Sequence, residues 1–151
     1  MRRRRLSRFV VVVAVLFLVI QAIPYGHDHG TLATTKRASF PAGDRALMAG
    51  ACMDCHSNET QWPWYSNVAP VSLLVVRDVK GGRERLNFSQ WDRPQPSLDE
   101  VLRAVRRESM PPWQYKTIHG RARLSAAERG RVEAAIRSAY KADAPPIRAG
   151  R

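Results

Sequence analysis

The first 24 residues carry a hydrophobic pattern unlike that of the rest of the chain. Met1 to Arg8 is strongly basic, and the segment from Phe9 to Ile23 is almost wholly apolar. Only Gln21 interrupts the apolar run before Pro24 ends it. A basic segment followed by an apolar one is typical of a signal peptide or a membrane anchor. We therefore expect residues 1–24 to form a signal anchor or a transmembrane segment.

The length of the apolar run leaves both forms open, because about 15 apolar residues are fewer than the roughly 20 that a spanning helix usually needs. A cleaved signal peptide needs small residues at the cut. The best candidate cut, after Ala22, has the bulky Ile20 at a position that prefers a small residue, which favours an uncleaved anchor. In both cases the arginine cluster stays in the cytoplasm and the chain after Pro24 is exported.

Helical periodicity marks residues 40–142 as a domain. Apolar side chains recur at helical spacing over residues 98–105 and again over 132–140. A capping box precedes each stretch, Ser97 to Glu100 and Ser125 to Glu128, whose side chains satisfy backbone donors of the first turn. These signals predict two amphipathic helices. The residues predicted to face the core are Leu98, Val101, Leu102, Val105, Val132, Ala135, Ile136, Ala139 and Tyr140.

Two further helices are predicted from weaker signals. Pro41 suits a first turn, and the alanine-rich stretch that follows it to Ala51 can form a short helix. Val71 to Val79 is apolar and β-branched, but Pro70 at its head and Gly81-Gly82 at its end favour a buried helix over a strand. The domain is therefore expected to be all-α.

The segments on either side of this domain lack apolar periodicity. Residues 25–39 are expected to form a tether, and residues 143–151 a flexible tail. His27 and His29 in the tether are candidate metal ligands. Histidines in a flexible segment are more often simply solvated, so that role stays open as well.

The chain is basic, with 25 Lys and Arg residues against 13 Asp and Glu residues and a formal net charge of +12. Five arginines precede the apolar run, so the rest carries 20 basic against 13 acidic residues, a net charge of +7. Such a surplus favours encounter with acidic proteins or anionic lipids. Nucleic acid is not expected as a partner, because the basic residues are scattered and no recognition motif accompanies them.

The two cysteines of the chain both lie in the pattern Cys52-x-x-Cys55-His56. C-x-x-C-H is the attachment pattern of c-type haem. Two thiols three positions apart on a helical turn can each add to one haem vinyl group, and the adjacent imidazole is then held beneath the iron. The sequence therefore predicts one covalent haem c per chain, attached through Cys52 and Cys55 with His56 as an iron ligand.

Other uses of two close cysteines fit the sequence less well. A thioredoxin-like redox pair opens a helix after a strand in a βαβ unit, which this sequence does not contain. A zinc site needs a second pair of ligands at finger spacing, and none follows. Two cysteines are also too few for a disulfide framework.

Met110 is the predicted ligand of the sixth iron position. It begins Met110-Pro111-Pro112, after a helix predicted to end at Glu108, where the prolines hold the chain extended. His119 is the alternative ligand. A methionine more often fills a core, and a histidine more often lies at the surface or at a cap, so these roles stay open too.

Aromatic side chains stand near these candidate ligands and are expected to fill the haem pocket. Exclusion of water would raise the reduction potential by disfavouring the extra charge of ferric iron. Packing in the core is the more usual role of a tryptophan, and the two roles are compatible. The aromatic residues are Trp62, Trp64, Tyr65, Trp91, Trp113 and Tyr115.

Several segments together carry a family resemblance. They are Cys52 to Ser66, Ala69 to Ser72, Gly82-Arg83, Leu86 to Ser89 with Trp91, Met110 to Pro112, and Ala122 to Ser125. These segments resemble the haem-binding domain family, small membrane-anchored bacterial proteins related to cytochrome c. The resemblance implies a cytochrome c-like helical fold around one haem held by Cys52, Cys55 and His56. With the N-terminal segment, it implies a single-pass protein of the bacterial inner membrane, with its N-terminus cytoplasmic and its haem domain periplasmic or otherwise extracytoplasmic.

The expected function is one-electron transfer with redox proteins as partners. No residue pattern indicates a substrate site, so an electron carrier is favoured over an enzyme. A peroxidase is disfavoured because only one C-x-x-C-H is present and no distal acid–base pair can be assigned. The alternative function is a haem-based gas or redox sensor with a weak or open sixth coordination site.

Overall fold

The chain folds into helices and loops in a computed structural model that describes residues 2–23, 29–30 and 32–149. The α-helices in chain order are α1 (Arg2–Gln21), α2 (Arg45–Met48), α3 (Asp54–His56), α4 (Val71–Arg85), α5 (Leu98–Arg106), α6 (Trp113–Ile118) and α7 (Ala126–Ala142). A π-helical turn, Ala49–Met53, joins α2 to α3. Short 3₁₀ turns lie at Ala42–Asp44, Trp64–Asn67 and Gly120–Ala122. The described residues form isolated β-bridges but no strand, which confirms the all-α prediction.

The helices belong to two compact units. One consists of Met1–Gly30 and Trp62–Asp78, and the other of Thr31–Gln61 and Val79–Arg151. Helix α4 begins in the first unit and ends in the second. Of the range 40–142 predicted as the haem-binding domain, residues 62–78 group with residues 1–30, and the remainder belongs to the second unit.

In the first unit, hydrogen bonds at the end of α1 hold it to the segment before α4. The side-chain amide of Gln21 donates to Ala69 O at 3.0 Å, and its carbonyl oxygen accepts from Ala69 N at 2.9 Å. His29 stacks on Trp62 with 4.1 Å between ring centroids. His29 therefore makes an ordered protein contact, whereas His27, the other candidate metal ligand of the tether, lies outside the described residues.

Helix α1 is longer than the apolar run, because it begins at Arg2 and includes the arginine cluster. Its large apolar side chains from Phe9 to Val19 are exposed. Among the helices described, none is both long enough and apolar enough to cross a membrane.

Aromatic rings build the centre of the second unit. Phe40 meets Phe88 edge to face, with 5.1 Å between centroids, and Phe88 lies 5.8 Å from Trp91. Trp91 then packs edge to face on Tyr140 at 4.9 Å. Trp91 is fully buried, and its indole N–H donates to Asp143 O at 2.7 Å. Edge-to-face pairs add about 0.5–1.5 kcal/mol each to the effect of burial, so this chain of rings stabilises the core.

The two amphipathic helices α5 and α7 have the faces that their periodicity predicts. The buried residues are Val101, Leu102, Val105, Val132, Ala135, Ile136, Ala139 and Tyr140, and Leu98 packs against them partly buried. Ser125 and Glu128 complete a capping box at the start of α7, and Ser97 Oγ accepts from Glu100 N at the start of α5. Helix α5 ends at Arg106, earlier than expected, because Glu108 adopts a left-handed φ of 55°.

Described residues of both segments that flank the predicted domain make backbone hydrogen bonds to distant residues. In the expected tether, Thr35 N donates to Ser89 O at 3.1 Å and Ala38 N donates to Phe88 O at 2.8 Å. In the expected tail, Pro146 O accepts from Gln95 N at 2.8 Å. Such bonds join segments far apart in sequence and leave no periodic pattern in it.

Candidate functional site

The C-x-x-C-H motif lies at the end of a helical run in the second unit. Helix α2, the π-helical turn and α3 follow one another without a break from Arg45 to His56. The run ends because Ser57 is extended, with φ −143° and ψ 171°, and its hydroxyl donates to Met53 O at 2.7 Å. A π turn is wider than an α turn and often marks a functional site. The motif therefore sits on an irregular turn.

The ring of His56 is oriented by the end of α4. Its Nδ1 lies 3.0 Å from both Gly82 O and Leu86 O. Because carbonyl oxygens only accept hydrogen bonds, Nδ1 carries the ring proton and Nε2 keeps its lone pair. Burial lowers the pKa of His56 below its ordinary range, and the two backbone hydrogen bonds raise it only in part. The imidazole is thus neutral at pH 7 and has one nitrogen suited to bind a metal.

The contact between the motif and the end of α4 depends on a glycine in that helix. A Cβ added to Gly82 would lie 2.4 Å from Cys55 O and 3.0 Å from Cys55 Cβ, far closer than non-bonded atoms approach. The absence of a side chain therefore lets α4 lie directly against the motif. The sequence interpretation placed the glycines after the helix, but α4 continues through Gly81 and Gly82 to Arg85.

The two cysteines are partly buried and form no disulfide within the described part of the chain. Burial, with a smaller contribution from the neighbouring Cys55, raises the pKa of Cys52 to about 12. Cys52 is therefore a protonated thiol at neutral pH. A thioredoxin-like pair needs one thiol with a lowered pKa, so this site differs from that class. Among the described residues, no group of three or more His, Cys, Asp or Glu side chains is arranged to hold a metal ion.

Hydrogen bonds also join the loops on either side of this contact. Arg83 Nε donates to Ser57 O at 2.8 Å, and Arg83 Nη2 donates to Thr60 Oγ1 at 2.8 Å. The buried Asn87 donates to Asn58 Oδ1 at 2.9 Å. No individual role was predicted for these polar residues. The signal that could have found them is that all of them lie in segments that carry the family resemblance.

A cavity of about 940 Å³ lies beside the motif in the second unit. Met53 and Asp54, the two residues between the cysteines, line it together with Phe88. Cys52, Cys55 and His56 are not among the described residues that line it. The cavity therefore opens on the neighbouring face of the same helical turn.

Of the two candidate sixth ligands, His119 lines this cavity and Met110 lines another. Met110 is 37% exposed and borders a separate cavity of about 330 Å³. His119 stacks on Tyr115 with 4.0 Å between centroids, and the Tyr115 hydroxyl donates to Asp54 Oδ2 at 2.6 Å. The Tyr115–Asp54 hydrogen bond thus links α6 to the motif and brings His119 closer to it than sequence separation indicates.

Most of the aromatic residues expected around a haem lie elsewhere. Trp64 and Trp113 are 78% and 74% exposed, and Trp91 belongs to the core described above. Tyr115 does line the cavity. Its other aromatic walls are Phe40 and Phe88, which the sequence interpretation did not select because it weighed tryptophans near the cysteines. Neither Trp64 nor Trp113 is among the described residues that line this cavity, so their role at a haem stays a prediction.

A comparison with family models gives one assignment. A model described as haem-binding domain matches residues 15–138, well over half of the chain. The chain belongs to the haem-binding domain family. The resemblance drawn from the motif and its flanking segments is thereby confirmed. No curated protein and no solved structure matches the chain significantly.

The residues of this haem-binding domain fit a haem, the group that the family name implies. His56 presents a neutral imidazole whose Nδ1 is held by backbone oxygens, the arrangement that orients metal-binding histidines. Cys52 and Cys55 stand three positions apart, and neither thiol is used in a disulfide among the described residues. Imidazole and thiol groups are both established anchors of haem, so the donor chemistry matches.

Replacement of Gly82 by alanine is expected to damage the site, because the new Cβ would collide with Cys55 O. Overpacking of this kind costs about 1–3 kcal/mol. Gly82→Ala should therefore lower the urea midpoint of unfolding and the amount of haem bound per chain. Both are measured on the purified protein, the first by circular dichroism and the second by absorbance.

Gly81→Ala is the matched control for this prediction. It makes the same chemical change one residue earlier in α4, where a Cβ meets nothing within 4 Å. Alanine is favoured over glycine inside a helix by roughly 0.5–1 kcal/mol, so stability should stay the same or rise. Equal losses in the two variants would show that the contact with Cys55 is not what matters.

Proposed function

We propose that this haem-binding domain is a cytochrome c-like electron carrier that holds one covalent haem c through Cys52 and Cys55, with His56 as the proximal iron ligand. The observation that carries the proposal is the pair of hydrogen bonds from His56 Nδ1 to Gly82 O and Leu86 O, each 3.0 Å long. They leave Nε2 unprotonated, with a lone pair that can bind iron, and they fix the direction of that lone pair. When bound, the haem supplies an iron that cycles between the ferric and ferrous states.

The chain's own groups support transfer of electrons rather than catalysis. His56 is held by backbone oxygens of a helix, so its position does not depend on a mobile side chain. The protonated Cys52 is a poor nucleophile toward disulfides, which argues against thiol exchange. A net charge of +7 after the N-terminal segment favours acidic redox proteins as partners through faster encounter.

Met110 remains the proposed sixth ligand, making Met110 with His56 the iron-binding pair. Its exposure of 37% argues against the alternative role of core filler, since a buried thioether would be needed for that. His119 is engaged by Tyr115 through ring stacking. The position of Met110 beside a separate cavity favours a second candidate function, a gas or redox sensor whose sixth coordination position is weakly held or open.

We also infer that residues 1–24 direct the chain to the bacterial inner membrane and keep it there, with the N-terminus in the cytoplasm and the haem domain extracytoplasmic. The basic start of the chain supports this orientation. The exposed apolar side chains from Phe9 to Val19 on α1 support contact with lipid, because soluble surfaces rarely expose so continuous an apolar stretch.

Covalent attachment predicts that the haem stays with the exported protein through denaturation and acid extraction into organic solvent. Cys52→Ala or Cys55→Ala should weaken or abolish this retention, since each removes one thioether bond. Met53→Leu, a change of similar volume between the cysteines, is the control and should retain the haem. Release of all haem from the wild-type protein would refute covalent attachment.

Ligation by Met110 predicts a distinct spectroscopic response. Met110→Ala should remove the weak sulfur-to-iron charge-transfer band of the ferric protein and open the ferrous protein to carbon monoxide. The midpoint potential should fall by on the order of 100 mV, within the roughly 0.8 V range set by axial ligands. His119→Ala should leave all three properties nearly unchanged. The reverse pattern would assign the ligand to His119, and no effect of either change would favour the sensor.

Retention of the N-terminal segment predicts that the mature membrane protein begins at Met1 or Arg2. N-terminal sequencing of protein purified from membranes measures this directly. The prediction follows from the bulky Ile20 before the best candidate cut. A mature chain that begins at Ile23 or later would instead identify the segment as a cleaved signal peptide.

A further inference from the structure

The cavity beside the motif has the size and floor of a small-molecule site. Its volume of about 940 Å³ lies in the range of roughly 300–1,000 Å³ typical of such sites. Phe40, Met48 and Phe88 line it, and all three are at least nine-tenths buried members of the core. The apolar part of a small molecule can therefore pack against these three side chains.

Among the charged side chains that line this cavity, the positive ones are not all paired with negative ones. Arg37 pairs with Glu59, and the Asp54 carboxylate accepts hydrogen bonds from the Tyr115 hydroxyl and from Gln61 N. Arg45 and Arg121 also line the cavity, and in the described part of the chain neither makes an ion pair. Two guanidinium groups are thus available to an anion, and guanidinium binds carboxylates well through paired N–H donors.

Arg121 is seated against the helical turn by a second glycine. A Cβ on Gly50, in the π-helical turn, would lie 3.0 Å from Arg121 Cβ and 3.5 Å from Arg121 Cδ. The side chain of Arg121 therefore runs across the space that a residue other than glycine would occupy. This contact sets where its guanidinium leaves the turn.

We propose that this cavity binds a carboxylate borne by an apolar body, with Arg45 and Arg121 holding the carboxylate and Phe40, Met48 and Phe88 contacting the apolar part. Two sources share this chemistry. One is the propionate edge of the haem held at the motif, a case that rests on the proposed function. The other is a free fatty-acid-type carboxylate, a case that does not.

The test uses Arg45→Ala and Arg121→Ala, with Arg103→Ala as the matched control. Arg103 is an exposed arginine of α5 that does not line the cavity, so the control makes the same change in charge. Sodium decanoate is titrated into each haem-loaded protein by calorimetry, with acetate as a probe that has the carboxylate alone. The midpoint potential of the haem is measured as a function of pH on the same four proteins.

If the ligand is a free carboxylate, decanoate should bind the wild type and Arg103→Ala with the same affinity. It should bind Arg45→Ala and Arg121→Ala at least tenfold more weakly. Acetate should not bind measurably to any of the four proteins. Haem propionates as the source predict instead that Arg45→Ala and Arg121→Ala shift the potential and its pH dependence, that Arg103→Ala does not, and that decanoate fails to bind. Either pattern supports the site. Equal behaviour of all three variants in both measurements would overturn it.

Failure of the proposed function is distinguishable from failure of this inference. If acid extraction removes all haem from the wild type, covalent attachment fails, but haem held without a covalent bond still has propionates and a midpoint potential, so both measurements still decide whether the arginines bind a carboxylate. Gly50→Ala gives a second perturbation that leaves both arginines in place. It should weaken whichever effect is found, whereas Gly43→Ala, where a Cβ meets nothing within 4 Å, should not.

Discussion

The hydrogen bonds of His56 Nδ1 to the last turn of α4 are the interaction on which the site depends. They select the tautomer, direct Nε2 and connect the motif to a helix that begins in the other unit of the chain. They form only because Gly82 allows the helix backbone to touch Cys55. Gly82 O also accepts a hydrogen bond from Leu86 N at 2.9 Å, so this carbonyl serves the backbone at the end of α4 and the imidazole together. Orientation of the imidazole is thus built from backbone carbonyls, on the condition that residue 82 has no side chain.

Buried polar contacts around this pair keep the adjoining loops in one arrangement. Arg83 reaches the loop after His56, while Asn87 and Ser89 bond to Asn58 from the other side. Polar groups buried in this way are costly when they lose a partner, so alternative loop conformations are penalised. The result is a rigid surround on the side of the motif that faces α4. A rigid surround reduces the rearrangement of His56 that a change of charge on a bound group would otherwise cause.

The parts of the fold that sequence predicts well are those with local causes. Periodic apolar residues and serine caps define α5 and α7 down to their buried side chains. The placement of Gly82 was misjudged because a glycine that permits close approach looks the same in sequence as one that ends a helix. The motif itself was predictable, since three neighbouring residues carry its chemistry. Its cavity was not, because Phe40, Phe88 and Tyr115 come together only through contacts between distant segments.

The π-helical turn Ala49–Met53 has a consequence for the angular phase of everything that follows it. A residue in an α-helix advances the chain by about 100° around the axis, and a π turn absorbs one extra residue without lengthening the helix by a full step. The turn therefore keeps the faces of α2 and α3 nearly in phase although it contains one residue more than an α turn. A residue inserted or deleted in the α-helical parts of this run would instead rotate the imidazole of His56 by about 100° from the carbonyls that hold it. Spacing between the core contacts of Met48 and the haem motif is thus constrained in chain length as well as in residue type.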